Sequence, residues 1–185
     1  MAWTRMRTTG LNSLLLDADV IIDANKLGFW DNLITKNKIY IASTVLRNEA
    51  FYYINSKEQQ KDIHLLGLAR RKRIIEVSAT VSQQQSLMSK FDLAFAPKLH
   101  SGEIESLSIL QKRNDLIFCT FDTAAIMALG LLGIAHQGIS LERALLKCGL
   151  NRHLERKYSE KKFKYILRQA EEMRIMGQGL SGDIL

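Results

Sequence analysis

The sequence has little of what marks secreted, disulfide-linked or membrane-spanning proteins. Its two cysteines, Cys119 and Cys148, lie in apolar surroundings that favour buried reduced thiols over a disulfide framework. No apolar run approaches the roughly 18 residues of a membrane span. Asp17 and Asp19 interrupt the N-terminal apolar run before it could serve as a signal sequence. We therefore expect a cytoplasmic protein with no membrane partner.

Most familiar catalytic motifs are missing as well. The chain contains no Walker glycine loop, no G-x-S-x-G, no dinucleotide-binding glycine motif, no H-E-x-x-H and no C-x-x-C. Its four histidines stand alone in the sequence, and we interpret them as structural or surface residues: His64, His100, His136 and His153. Carboxylates remain as the side chains most able to carry chemistry.

Acidic charge is in the minority. The 185 residues include 26 Lys and Arg against 19 Asp and Glu, which gives a net charge of +7. This balance favours a polyanionic partner only weakly. The basic residues concentrate in the last third of the chain and in one block, Arg70, Arg71, Lys72 and Arg73. Such blocks are also typical of solvated helix faces, so charge alone leaves both interpretations open.

Apolar runs that predict strands alternate with segments that predict helices. Buried strands are predicted around residues 14–16, 38–42, 74–77 and 116–120. The alternation predicts an α/β fold, an α/β/α sandwich with a mainly parallel sheet of four to five strands. We predict one domain over residues 1–150 and a basic helical extension over residues 151–185 that packs on it. Residues 44–54 are predicted to form a helix.

Acidic residues follow the predicted strands. Asp17 and Asp122 each come directly after an apolar strand, where an acid can be a simple helix N-cap. Because the carboxyl ends of parallel strands share one edge of the sheet, both could also line a common site. Glu49 lies within a largely apolar segment, and Glu103 lies in the first turn of a predicted helix, where the helix dipole favours a carboxylate. Glu105 faces another side of that helix, so only one of these two glutamates can easily share a site with Asp17. Which of the two does so stays open.

A shared site would bring four carboxylates together: Asp17, Glu49, Glu103 and Asp122. Four carboxylates around one cavity cannot all ionise unless cations compensate them. All-oxygen ligands favour Mg²⁺ or Mn²⁺, and these ions commonly assist phosphate chemistry. A basic surface around an acidic site suits a nucleic-acid substrate.

Four motifs, in this order, resemble those of the PIN-domain ribonucleases, which include the VapC-type toxins: Leu15–Val20, Ser43–Glu49, Gly102–Glu105 and Thr120–Asp122. The resemblance covers about residues 12–150, so we call this predicted domain PIN-like. It implies an endoribonuclease in which the four acids hold Mg²⁺ or Mn²⁺ and cleave RNA. It also implies a homodimer and a possible antitoxin partner.

The resemblance also bears on neighbouring residues. Asp19 stands where many family members have Asn or Ser, so it is either a metal ligand or a partner of one. We expect Thr120 to orient a ligand or a phosphate, and the block Arg70, Arg71, Lys72 and Arg73 to bind the RNA backbone. The main alternative is a catalytically silent PIN-like module for RNA binding or assembly. A receiver-like phosphoacceptor domain would need a lysine after a late strand, and none follows Thr120.

Overall fold

The computed structural model describes residues 13–182. The strands are β1 (Ser13–Leu16), β2 (Lys38–Ala42), β3 (Tyr52–Ile54), β4 (Gln60–Asp62), β5 (Ile75–Val77), β6 (Leu116–Cys119) and β7 (Gly138–Ile139). The α-helices are α1 (Ala18–Lys26), α2 (Trp30–Lys36), α3 (Leu65–Arg70), α4 (Val81–Met88), α5 (Ser101–Leu110), α6 (Thr123–Leu131), α7 (Leu141–Lys147) and α8 (Glu160–Ile175). A π-helical turn spans Val45–Glu49, and 3₁₀ turns span Ala96–Lys98, Ala135–Gln137 and Arg156–Tyr158.

Five strands form one parallel sheet in the order β5-β2-β1-β6-β7. Strand β1 is central and buried from Leu14 to Leu16, as expected for an apolar strand covered on both faces. Helices flank the sheet, so the predicted α/β sandwich with a parallel sheet is confirmed. The strand order changes direction between β1 and β6, and such a switch point opens a crevice at the carboxyl ends of the strands.

Helix α8 packs against α6. It buries Phe163, Ile166 and Ala170, and it approaches α6 so closely that a Cβ on Gly130 would lie 2.6 Å from the Cβ of Ala170. The division of the chain near residue 150 stays a prediction, and residues 1–12 and 183–185 of the two predicted units lie outside the described residues. Within residues 13–182, no helix combines the length and the apolarity that crossing a membrane requires.

The prediction of a helix over residues 44–54 is wrong. Only a π-helical turn forms there, and the chain then enters a two-stranded antiparallel hairpin of β3 and β4. Two physical reasons explain the difference. Aromatic and β-branched residues favour strands. In addition, the Asn55 side chain accepts hydrogen bonds from the amides of Lys57 (2.9 Å) and Gln59 (3.0 Å), and these bonds close the hairpin turn.

Candidate functional site

Three of the predicted acids meet at the carboxyl edge of the sheet. Asp17 follows β1 directly and is 4% exposed. Asp122 caps α6 just after β6, and its Oδ1 accepts hydrogen bonds from the amides of Ala124 (2.7 Å) and Ala125 (3.0 Å). Glu103 lies in the first turn of α5 and is buried. These carboxylates interact electrostatically, so the structure brings together acids from chain segments up to 105 residues apart (122 − 17).

Asp17 has the most buried of these carboxylates. Its pKa is raised to about 7, chiefly by burial and in addition by the charges of Asp19 and Asp122. Two hydrogen bonds act in the opposite direction. The Thr120 hydroxyl donates to Asp17 Oδ2 at 2.6 Å, and the Ala18 amide donates to Oδ1 at 2.8 Å. Near neutral pH, Asp17 is therefore divided between its protonated and ionised forms.

Burial also raises the pKa of Glu103, to about 8. The backbone amide of His100 donates to Glu103 Oε2 at 2.9 Å and lowers the pKa, whereas the charges of Asp122 and Asp17 raise it. The closeness of the Asp122 side chain adds to the upward shift. The neighbouring carboxylates and the burial together therefore disfavour the ionised form of Glu103.

Thr120 connects the two acids that follow strands. Its side chain is fully buried. While its hydroxyl donates to Asp17, its oxygen accepts from the backbone amide of Asp122 at 3.1 Å. In this structure Thr120 therefore orients the carboxylate of Asp17. The expectation that it orients a bound ligand or phosphate stays a prediction.

Glu49 reaches the first turn of α5 from the π-helical turn. Its Oε1 accepts hydrogen bonds from the Ser101 hydroxyl at 3.1 Å and from the Gly102 amide at 3.0 Å. This approach depends on a glycine, because a Cβ at position 102 would lie 2.8 Å from Val45 Cγ2 and 2.9 Å from Glu49 Cδ. Gly102 therefore leaves the room that the Glu49 carboxylate occupies.

Glu105 faces away from the other acids. It is 3% exposed, and its two oxygens accept hydrogen bonds from the amides of Thr44 (2.7 Å) and Ala79 (3.1 Å). These amides belong to the loops that follow β2 and β5. Glu105 thus joins two loops of the sheet edge, and Glu103 is the glutamate that lies beside Asp17 and Asp122.

Asp19 lies at the outer side of the site, in the first turn of α1. Its pKa is raised because neighbouring groups exclude part of its solvent, and the charges of Asp23 and Asp122 add to this shift. The positive charge of Lys157 opposes it. The structure therefore brings Asp19 near the buried acids, together with a cation that sequence reasoning had not placed there.

Lys157 belongs to a contact that fastens the C-terminal segment to the site. Its Nζ lies 2.9 Å from Asp23 Oδ2, and the Tyr158 hydroxyl donates to the same oxygen at 2.7 Å. The Tyr158 ring packs edge-on against Phe121, with 5.0 Å between ring centroids. Phe121 directly precedes Asp122, so the segment contacts the wall of the site. The basic composition of the last third was the only sequence signal for this contact.

The basic block Arg70–Arg73 lies elsewhere. It runs from the end of α3 toward the start of β5. Lys72 and Arg73 line a depression together with Lys38, the first residue of β2. They are therefore near the amino ends of the parallel strands, whereas the acids are at the carboxyl ends. Arg70 lines a separate cleft of about 690 Å³ along the edge strand β5. The structure does not bring this block together with the carboxylates.

The donor chemistry of the site fits a hard divalent cation. The side chains that line the site offer carboxylate oxygens, and the charges that raise the pKa of Asp17 and Glu103 come from neighbouring carboxylates. As the side chains stand, however, no three His, Cys, Asp or Glu residues between Ser13 and Gly182 form a group that could hold a metal ion. The residues therefore match Mg²⁺ or Mn²⁺ in type, and binding would require their side chains to turn toward a common point.

Compared with protein families, curated proteins and solved structures, the chain matches none. The resemblance to the PIN-domain ribonucleases stays a prediction that depends on the four motifs described above.

Proposed function

We propose that this chain is a PIN-like endoribonuclease that depends on Mg²⁺ or Mn²⁺. The observation that supports the proposal is the meeting of Asp17, Glu103 and Asp122 at the switch point of a parallel sheet, where Asp122 raises the pKa of both Asp17 and Glu103. A helix cap needs one acid at a solvated end, and it does not need three acids in one desolvated crevice. Costly clusters of this kind are typical of functional sites.

In this proposal, the metal ligands would be Asp17, Glu103 and Asp122, with Glu49 and Asp19 beside them. A divalent ion bound there would lower the pKa of an attacking water and stabilise the leaving oxygen of a phosphodiester. Thr120 would keep Asp17 Oδ2 in place, since its hydrogen bond becomes charge-assisted when the carboxylate ionises. Lys157 would supply positive charge at the wall of the site.

The proposed partners follow from charge and from the resemblance. A net charge of +7 supports binding to RNA, and Lys157 would meet its backbone at the wall of the acidic site. The resemblance adds a second copy of the chain, a small antitoxin and a cytoplasmic location to the proposal. Light scattering of the purified protein tests the dimer directly.

A catalytically silent module for RNA binding or assembly is the second candidate. It is favoured by the arrangement of the side chains, since within residues 13–182 no three potential ligands are positioned to hold a metal. This candidate predicts RNA binding that neither Mg²⁺ nor Mn²⁺ converts into cleavage.

Calorimetric titration of Mn²⁺ into the wild type and into Asp17→Asn separates the two candidates. The nuclease proposal expects saturable binding to the wild type and loss of binding in Asp17→Asn, because the most buried ligand loses its charge. Glu172→Gln removes an exposed acid on α8 and controls for the change in net charge. RNA cleavage in Mg²⁺ or Mn²⁺ should follow the same pattern across the three proteins. A folded wild type that binds no Mn²⁺, or an Asp17→Asn variant with full cleavage, would refute the proposal.

A further inference from the structure

We propose that the cleft between α1 and the β3–β4 hairpin binds an unpaired nucleobase, with Tyr52 as its stacking surface. The cleft has a volume of about 350 Å³, and its lining includes Glu49, Lys26, Tyr52 and Tyr53. It therefore begins at the candidate site and extends along the hairpin. The inference depends on the proposed function only for the identity of the ligand as a nucleic acid.

The hairpin presents aromatic surface to solvent beside this cleft. Tyr52 is 48% exposed and Ile54 is 44% exposed, whereas Tyr53, which lies between them, is half-buried and packs against the core. This alternation follows from the strand geometry of β3. Because Tyr53 and the contact with α1 hold the strand, the exposed Tyr52 ring adds little to the core. Exposed aromatic rings beside a cleft typically mark a binding surface.

The charge of the cleft favours a base over a phosphate. Its lining includes the acids Asp23 and Glu49, which would repel a phosphate group. A neutral base carries amino groups that can donate hydrogen bonds to carboxylates, and its face can stack on Tyr52. Lys26 is exposed in the last turn of α1, and it supplies a cation for the backbone that leads to the base.

Stacking of this kind selects single strands. In a duplex, each base is already stacked and paired, so it must be pulled out before it can enter the cleft. Stacking on an aromatic side chain tolerates any base, because every base presents a flat face. We therefore expect a preference for unpaired nucleic acid with little dependence on sequence.

The test measures binding without cleavage. Fluorescence anisotropy with an unstructured RNA of about ten nucleotides, in EDTA, compares the wild type with Tyr52→Ala, Tyr52→Phe and Tyr165→Ala. Tyr165 is a matched control because it is 62% exposed on α8, away from the hairpin. Tyr52→Ala should weaken binding about 5- to 150-fold, as expected for the loss of one stacked base. Tyr52→Phe keeps the ring, and it should bind like the wild type and like Tyr165→Ala.

The salt dependence of binding separates stacking from charge. For a single strand, each phosphate contact contributes about −0.7 to the slope of log K against log salt. Lys26→Ala should therefore lower the slope by about 0.7, whereas Tyr52→Ala should weaken binding and leave the slope unchanged. A general disturbance of the surface would change both quantities in both variants.

Each outcome decides the inference. Unchanged affinity in Tyr52→Ala, equal affinity for a matched duplex, or no binding of RNA by the wild type would overturn it. A single-stranded DNA of the same sequence tests whether the sugar matters; equal binding would widen the ligand to any unpaired nucleic acid and leave the stacking role of Tyr52 in place. Cleavage is not part of the readout, so Tyr52-dependent binding without nuclease activity would remove the proposed function and keep this site.

Discussion

Ionisation of Asp17 should lower the free energy of unfolding of the metal-free protein as the pH rises. Its pKa is about 7 in the folded chain, against 3.8 for an ordinary aspartate, so the folded state holds more protons than the unfolded state between these values. A group whose pKa is raised on folding contributes stability at low pH, and it loses that contribution as the pH rises through its folded pKa. Asn has no proton to release, so Asp17→Asn removes this dependence.

The magnitude follows from the shift in pKa. Each pKa unit corresponds to about 1.4 kcal/mol, so a shift of about three units costs the wild type roughly 4 kcal/mol once both states are ionised. About half of this cost develops between pH 5 and the folded pKa. The free energy of unfolding of Asp17→Asn, relative to the wild type, should therefore rise by about 3 kcal/mol from about pH 5 to about pH 8.

Comparing two pH values cancels a second effect of the substitution. Asp17 accepts hydrogen bonds from Thr120 and Ala18 through its two oxygens, and an amide can replace only one of these acceptors. The lost hydrogen bond costs about 1 kcal/mol at either pH. It therefore shifts the difference in free energy of unfolding between the two proteins by the same amount at each pH, and it leaves the pH dependence of that difference unchanged.

Urea unfolding in EDTA provides the measurement, with wild type, Asp17→Asn and Glu172→Gln at each pH. Glu172→Gln removes one exposed negative charge, so it reports any general effect of net charge. A stability difference between Asp17→Asn and the wild type that stays constant with pH would refute the reasoning. It would mean that the Asp17 carboxylate is compensated in the folded chain and that its pKa is not raised.

Three further predictions concern the surroundings of Asp17. Gly102→Ala should destabilise the fold by about 1–3 kcal/mol in urea unfolding, since the new Cβ would displace Glu49, whereas Gly67→Ala, where nothing lies nearer than 4.0 Å, should not. Equal effects of the two alanines would contradict the close approach of Glu49. Glu105→Gln should lower the free energy of unfolding by about 1–3 kcal/mol, because one buried amide loses its acceptor. It should leave Mn²⁺ binding intact, and loss of Mn²⁺ binding would make Glu105 a ligand. Mn²⁺ should raise the Tm more at about pH 8 than at about pH 5, because protons compete for the carboxylates, and an equal rise would exclude that competition.

The sheet and the placement of its acids could be predicted because they depend on local patterns. Apolar runs identify β1 and β6, and the residue after each run must emerge at the carboxyl edge of the sheet. That reasoning led to Asp17 and Asp122 directly. It failed over residues 44–54, because a short apolar run fits a buried helix as well as a strand. There the result depends on a turn that Asn55 forms with residues beyond the run.

The division of roles between the two glutamates of α5 could not be read from the sequence. Both positions are buried and acidic, and they differ in the groups that lie opposite them. Glu105 meets amides from loops 61 and 26 residues away along the chain, and Glu103 meets the other carboxylates. Contacts at such separations depend on how the strands assemble, so no local pattern reports them.

Helix geometry explains why three acids can share this edge at all. Asp17 caps α1, Glu103 lies in the first turn of α5 and Asp122 caps α6, so each carboxylate lies at the positive end of a helix. A helix N-terminus is equivalent to about half of a positive charge, so three of them offset about half of three negative charges. The remaining negative charge is what burial makes costly, and it raises the pKa of Asp17 and Glu103. A bound proton removes one charge of it, whereas a divalent cation would compensate all of it. This difference supports the proposal that the crevice, which destabilises the metal-free chain at high pH, binds Mg²⁺ or Mn²⁺.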